Sequence, residues 1–148
     1  MAKGKKISPR HLAREWAVQF MYQLDLRNVE FSEEDLELFW QQLTTDVSAK
    51  KERDFKNGQP FADELIRGTL AKKDELDEIL KKNSSNWSLE RMAAVDRNLL
   101  RLGAYEILHT DTPNQVVIQE AIDIATVFSD KDSPSFINAI LDHINKSN

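Results

Sequence analysis

Apolar residues recur at helical spacing along almost the whole chain. Leu12, Trp16, Phe20 and Leu24 lie four apart, with Ala13, Ala17 and Met21 alongside, and at about 100° per residue they form a single stripe. Ser8-Pro9 ahead of them has the pattern of an N-cap followed by proline at the first helical position, where its missing N–H costs nothing. A helix is therefore predicted to begin there. Ser32-Glu33-Glu34-Asp35 resembles a capping box, with negative charge gathered at the positive end of a helix dipole. Leu36, Phe39, Trp40, Leu43 and Val47 continue that second amphipathic helix.

The stretch 48–60 is polar and ends in Asn57-Gly58 and Pro60, which reads as a loop or frayed turn. A third helix is expected from near Pro60, carried by Phe61, Leu65, Ile66, Leu70, Leu76, Ile79 and Leu80, with Gly68 and Lys72–Glu75 weakening its middle. Asn83–Asn86 then separates two halves. Ser88 is a candidate N-cap for a helix bearing Leu89, Met92, Val95, Leu99, Leu102, Ile107 and Leu108, with room for one bend. Thr112-Pro113 ends it, Ile118, Ala121, Ile122, Ala125 and Phe128 mark another helix, and Ser133-Pro134 repeats the cap-and-proline signal before Ile137, Ile140, Leu141 and Ile144. Only Val116-Val117-Ile118 is β-prone, and it is too short for a sheet. The pattern predicts an all-α bundle of about six or seven helices.

Composition narrows the setting. At 148 residues, 41% apolar and 30% charged, with four Gly and four Pro, the chain suits one compact domain with one core. The absence of Cys excludes disulfides and thiolate metal sites and points to a reducing, cytoplasmic environment. No apolar run of signal-peptide or membrane-spanning length is present.

A net charge of −5 argues against nucleic acid as a partner, but the charge is unevenly placed. Residues 1–14 hold Lys3, Lys5, Lys6, Arg10 and Arg14 and no acid, whereas residues 25–46 hold seven acids against Arg27 alone. Arg10 and Arg14, four apart, are expected to project side by side from one edge of the first helix, with Lys5 and Lys6 just upstream.

Enzyme chemistry has no constellation to rest on. His11, His109 and His143 lack Cys partners and metal-ligand spacing, and there is no Gly-rich phosphate loop and no nucleophile elbow. Neither catalysis nor a cofactor is expected.

Several ordered blocks resemble the NusB family of bacterial antitermination factors. They are Arg10–Tyr22, Trp87–Met92, Val95–Ile107, Val117–Ala125 after Pro113, and Phe136–Asp142. The chain departs from that family's usual pattern in having Pro9-Arg10-His11 where adjacent arginines are common, and Phe136-Ile-Asn-Ala139 where Gly usually ends the motif. Residues 25–60 match least.

The resemblance implies a NusB-like all-helical domain over residues 1–148, with an N-terminal half 1–82 and a C-terminal half 83–148. It implies binding to the boxA element of nascent ribosomal RNA transcripts, together with a small-subunit ribosomal protein, NusE, within an RNA polymerase antitermination complex. A homodimer is a further state that it leaves open. A NusB-like domain also precedes the catalytic part of some RNA cytosine methyltransferases, a reading that requires a methyl-donor-binding domain to follow.

With the resemblance, Lys5, Lys6, Arg10, His11 and Arg14 become candidate RNA contacts, against the alternative of a solvated basic end. Tyr22 and Phe128 are candidate stacking faces for unpaired bases, against the alternative of core packing. Arg97 and Arg101 share a helix face that borders the RNA surface in the family, or form an intramolecular network with Asp96. Glu106 and Glu120 either cap helices or meet the basic partner protein. A protein-interaction module without RNA contact is the competing function.

Overall fold

The computed structural model describes residues 8–45, 49–84 and 88–147, with the side chains of 49–51 left aside. Seven helices make up these residues: α1 (Pro9–Arg27), α2 (Glu33–Thr44), α3 (Ala49–Ala71), α4 (Lys73–Asn83), α5 (Ala94–His109), α6 (Asn114–Phe128) and α7 (Ser133–Lys146). A 3₁₀ turn, Leu89–Arg91, precedes α5, and no strand occurs among the described residues.

The ends of α1 follow from local chemistry. The Ser8 hydroxyl accepts the His11 N–H at 3.1 Å, and Pro9 stands at the first position. At the other end Asn28 takes a left-handed conformation (φ 54°), the Val29 N–H reaches the Leu24 carbonyl and the Asn28 N–H reaches that of Asp25. That pairing is a Schellman stop with Asn in the place Gly more often fills. Ser32 likewise accepts the Asp35 N–H and starts α2.

The third helix begins earlier than its composition predicts. It starts at Ala49 and runs straight through Asn57, Gly58 and Pro60. An internal proline forfeits one backbone hydrogen bond and costs about 3 kcal/mol, so tertiary packing has to hold this stretch helical. Phe55 lies 5.7 Å, centroid to centroid, from both Trp16 and Trp40, inside an aromatic cluster that also joins Phe20, Phe31 and Phe39. Gly58 abuts the start of α1, where a Cβ would stand 2.8 Å from the Pro9 carbonyl oxygen and 3.1 Å from the Trp16 ring. The polar segment is thus a largely exposed helix that lays only Phe55 and Gly58 against its neighbours. The weak middle around Lys72 becomes a bend: α3 stops at Ala71 and α4 resumes at Lys73.

The helix α5 is central, packing against α1, α3, α4, α6 and α7. Leu99, Leu100, Leu102 and Ala104 are buried along it, in one core continuous with Leu65 and Ile66 of α3, Ile124 of α6 and Ile137 and Leu141 of α7. Burying such a side chain fully contributes about 1.5–3 kcal/mol. Ser133 does not act as the cap of α7; Asp132 precedes the helix, and the Ser133 hydroxyl turns inward to donate to Asp96 at 2.8 Å.

Candidate nucleic-acid interface

The basic edge of α1 divides into one buried and one exposed arginine. Arg14 is 4% exposed; its Nε and Nη2 donate to the two carboxylate oxygens of Glu106 at 2.8 and 2.9 Å, and its Nη1 donates to Glu120 at 3.0 Å. Burial works against the charge, but the hydrogen bonds donated to Glu106 and the charges of both glutamates outweigh it and hold the guanidinium protonated above its ordinary value. With three donors taken inside the protein, Arg14 is a staple between α1, α5 and α6 and not the outward RNA contact expected of it. Glu106, at 1% exposure, is correspondingly no partner contact. His11 joins the same group: Nδ1 lies 3.2 Å from Glu120 and Nε2 3.0 Å from Glu15. Glu120 therefore faces Arg14 and His11 while 19% of its side chain stays exposed.

Arg10 behaves differently. It is exposed, its guanidinium carbon sits 4.6 Å from the centre of the Phe61 ring, and no ion pair holds it among the described residues. Lys5 and Lys6 lie outside the described residues, so Arg10 is the described part of the basic arm.

Arg97 and Arg101 turn inward. Asp25 near the end of α1 accepts Arg97 Nε and Nη2 at 2.7 and 2.8 Å, Asn98 at 2.9 Å and Arg101 Nη1 at 3.3 Å. Burial pushes the Asp25 carboxyl up, yet the bonds from Arg97 and Asn98 and the charges of Arg97 and Arg101 prevail and lower it below its usual range. Arg97 also donates to the carbonyls of Leu89 and Met92, pinning the 3₁₀ turn, and Arg101 pairs with Asp77 of α4 at 2.7 and 3.1 Å. Of the two readings open for these arginines, the intramolecular network is the one formed. Its acids are Asp25 and Asp77, while Asp96 serves the joint between α6 and α7, accepting from Ser129 at 2.5 Å and Ser133 at 2.8 Å.

Beside that joint lies an open cavity. It is lined by Tyr22 and Leu26 of α1, Val95 of α5, and Val127, Phe128 and Ser129 at the end of α6. Phe128 is 44% exposed, Leu26 61% and Val127 71%, a concentration of apolar surface at the meeting of three helices. The two aromatics singled out for stacking, 106 positions apart in sequence, thus share one cleft. Leu26 and Val127 were missed, because an exposed aliphatic at a helix end carries no signal until its neighbours are known.

The fold and the cleft define an all-helical bundle that holds Arg14, Arg97 and Arg101 in ion pairs and presents an aromatic, apolar surface where three helices meet. The chain belongs to the NusB family, whose model matches residues 11–146. A transcription antitermination protein NusB of Thermodesulfovibrio yellowstonii is 39% identical over 145 residues, covering 93% of this chain and 91% of the relative. The NusB of Desulfitobacterium hafniense is 43% identical over 139 residues, covering 93% and 88%. Among solved structures, T. maritima NusB superposes with a TM-score of 0.76 at 33% identity over 97% of this chain and 94% of that one. The antitermination factors NusB and NusE in complex with double-stranded RNA give a chain with a TM-score of 0.76 at 25% identity, covering 95% and 98%.

Proposed function

We propose that this chain is a transcription antitermination factor that captures unpaired boxA-type RNA of nascent ribosomal transcripts together with a NusE-type ribosomal protein, within the RNA polymerase antitermination complex in the cytoplasm. The observation that carries it is the cleft between Tyr22 and Phe128, which offers two rings to splayed bases at a surface reached from outside. Arg10, and Lys5 and Lys6 upstream of it, supply phosphate attraction against the chain's overall −5 charge. So few cations give modest affinity, which a protein partner with adjoining RNA contacts raises by sharing the ligand. Leu26 and Val127 suit an apolar partner side chain better than a base, and they favour protein docking at the same rim.

The experiment is a titration of boxA and scrambled oligonucleotides, with and without the NusE-type protein, across salt concentrations. Binding of the single strand is expected to fall with salt at a log–log slope of about −0.7 per phosphate neutralised. Tyr22→Ala and Phe128→Ala are each expected to weaken it by roughly 5- to 150-fold, the equivalent of one stacked base. If boxA and scrambled strands bind alike, or neither binds at low salt with the partner present, the competing protein-interaction role takes over.

A further inference from the structure

Arg10 and Arg14 lie over the same ring, 4.6 and 5.2 Å from the centre of Phe61, yet only one of them is free to meet a ligand. Arg14 is fixed by Glu106 and Glu120, whereas Arg10 has no carboxylate partner among the described residues. Phe61 is brought there by Gly58, whose missing side chain lets α3 touch the Pro9 carbonyl; three residues later along the same helix the ring passes beneath the first turn of α1. An aromatic face attracts a guanidinium through its quadrupole without occupying the N–H donors. The donor edge therefore stays available for a phosphate, which it can meet in a two-pronged pair.

We propose that Phe61 is a positioning residue for RNA capture, holding the Arg10 side chain over α3 with its donor edge open so that the strand meets a pre-ordered arginine. This extends the binding surface onto α3, where the family resemblance assigned nothing. A long exposed arginine otherwise loses rotamer freedom when it binds, and the ring removes part of that loss beforehand. The inference rests on the RNA-binding function proposed for the chain.

The test is a double-mutant cycle read as affinity for a boxA oligonucleotide at low salt, with the NusE-type partner present and the full chain used. Phe61→Leu keeps an apolar side chain and removes the ring; it is expected to weaken binding about two- to fivefold, the exposed cation–π range. Phe61→Trp keeps a ring and is expected to retain wild-type affinity. In an Arg10→Ala background, Phe61→Leu is expected to change nothing further. Replacing Phe61 by pentafluorophenylalanine preserves shape and depletes the ring face of electron density, so it reproduces the leucine effect even if the leucine variant folds poorly. Equal losses from Phe61→Leu with and without Arg10, or a silent fluorinated ring, overturn the positioning role while leaving RNA binding intact. A wild-type protein that ignores the oligonucleotide removes both.

Discussion

Arg14 and Glu106 face each other through two parallel N–H···O bonds of 2.8 and 2.9 Å, in a pair with side-chain exposures of 4% and 2%. The contact joins residues 92 positions apart and ties the first helix to the central one. Deleting one member leaves the other as an uncompensated buried charge, which costs about 3–5 kcal/mol. Arg14→Ala is therefore expected to lower the unfolding free energy in urea by that amount. Arg14→Lys is expected to recover little, since an ammonium cannot reproduce the fork. By contrast, Arg10→Ala should leave stability within about 0.5 kcal/mol, as an exposed surface change. An Arg14→Ala protein as stable as wild type would show that the pair is dispensable.

Asp25 makes the second such joint responsive to acid. Its carboxyl titrates below the ordinary value in the folded protein because Arg97, Asn98 and Arg101 converge on it. A depressed folded value means that the unfolded chain binds the proton more readily, so the stabilisation is fully present above about pH 4, the unfolded carboxylate value, and fades as pH falls through the lower folded value. Asp25→Asn is expected to cost on the order of 1–3 kcal/mol at pH 7, with the gap from wild type closing below about pH 4. Urea titrations of both proteins from pH 7 to pH 3 measure this. A gap independent of pH would show that the carboxylate charge contributes nothing.

A buried acid, Asp96, closes the turn beside the aromatic cleft. Asp96 accepts from Ser129 and Ser133, which also bond each other at 2.9 Å, closing the turn that directly follows Phe128. In Asp96→Ala the buried Ser133 hydroxyl loses its acceptor, an expected cost of about 1–3 kcal/mol. Amide exchange is expected to rise locally across residues 129–133 before the rest of the fold opens. Oligonucleotide affinity is expected to fall with it, because the Phe128 ring is then less well placed. Unchanged exchange in that turn would detach Asp96 from the cleft.

These groups differ in how far the sequence reveals them, and the difference is one of range. Ser8 and Ser32 act within three residues, and both accept the N–H that a capping pattern assigns them. The spacing of Arg10 and Arg14 puts both at one edge of α1, and the structure adds that both lie over the Phe61 ring. It holds no information on which of them meets a carboxylate, because Glu106 and Glu120 arrive from helices far along the chain. An acid set among apolar residues in α5 and an arginine between Ala13 and Ala17 were the available hints of a buried pair. Ser133 has the local form of a cap, but Asp96 offers its hydroxyl a buried charged acceptor and wins. Tyr22 and Phe128 are visible as aromatics in sequence, whereas their shared cleft exists only once α1 and α6 lie side by side.

Gly58 shows the same competition in a single atom. In a helix interior, Gly→Ala is ordinarily worth about 0.5–1 kcal/mol of added stability, because glycine has more backbone freedom to lose on folding. Here the new methyl would lie 2.8 Å from the Pro9 carbonyl oxygen, a backbone atom that moves only if the first turn of α1 moves. Overpacking of this kind costs typically 1–3 kcal/mol, more than the propensity gain. Gly58→Ala is therefore expected to destabilise the protein, reversing the usual sign. The displaced turn carries Arg10, so the variant is also expected to weaken binding of boxA RNA at low salt. Thermal unfolding and an oligonucleotide titration on the same preparation decide the matter; a higher melting temperature with wild-type affinity would show that the approach of α3 to α1 is looser than the structure places it.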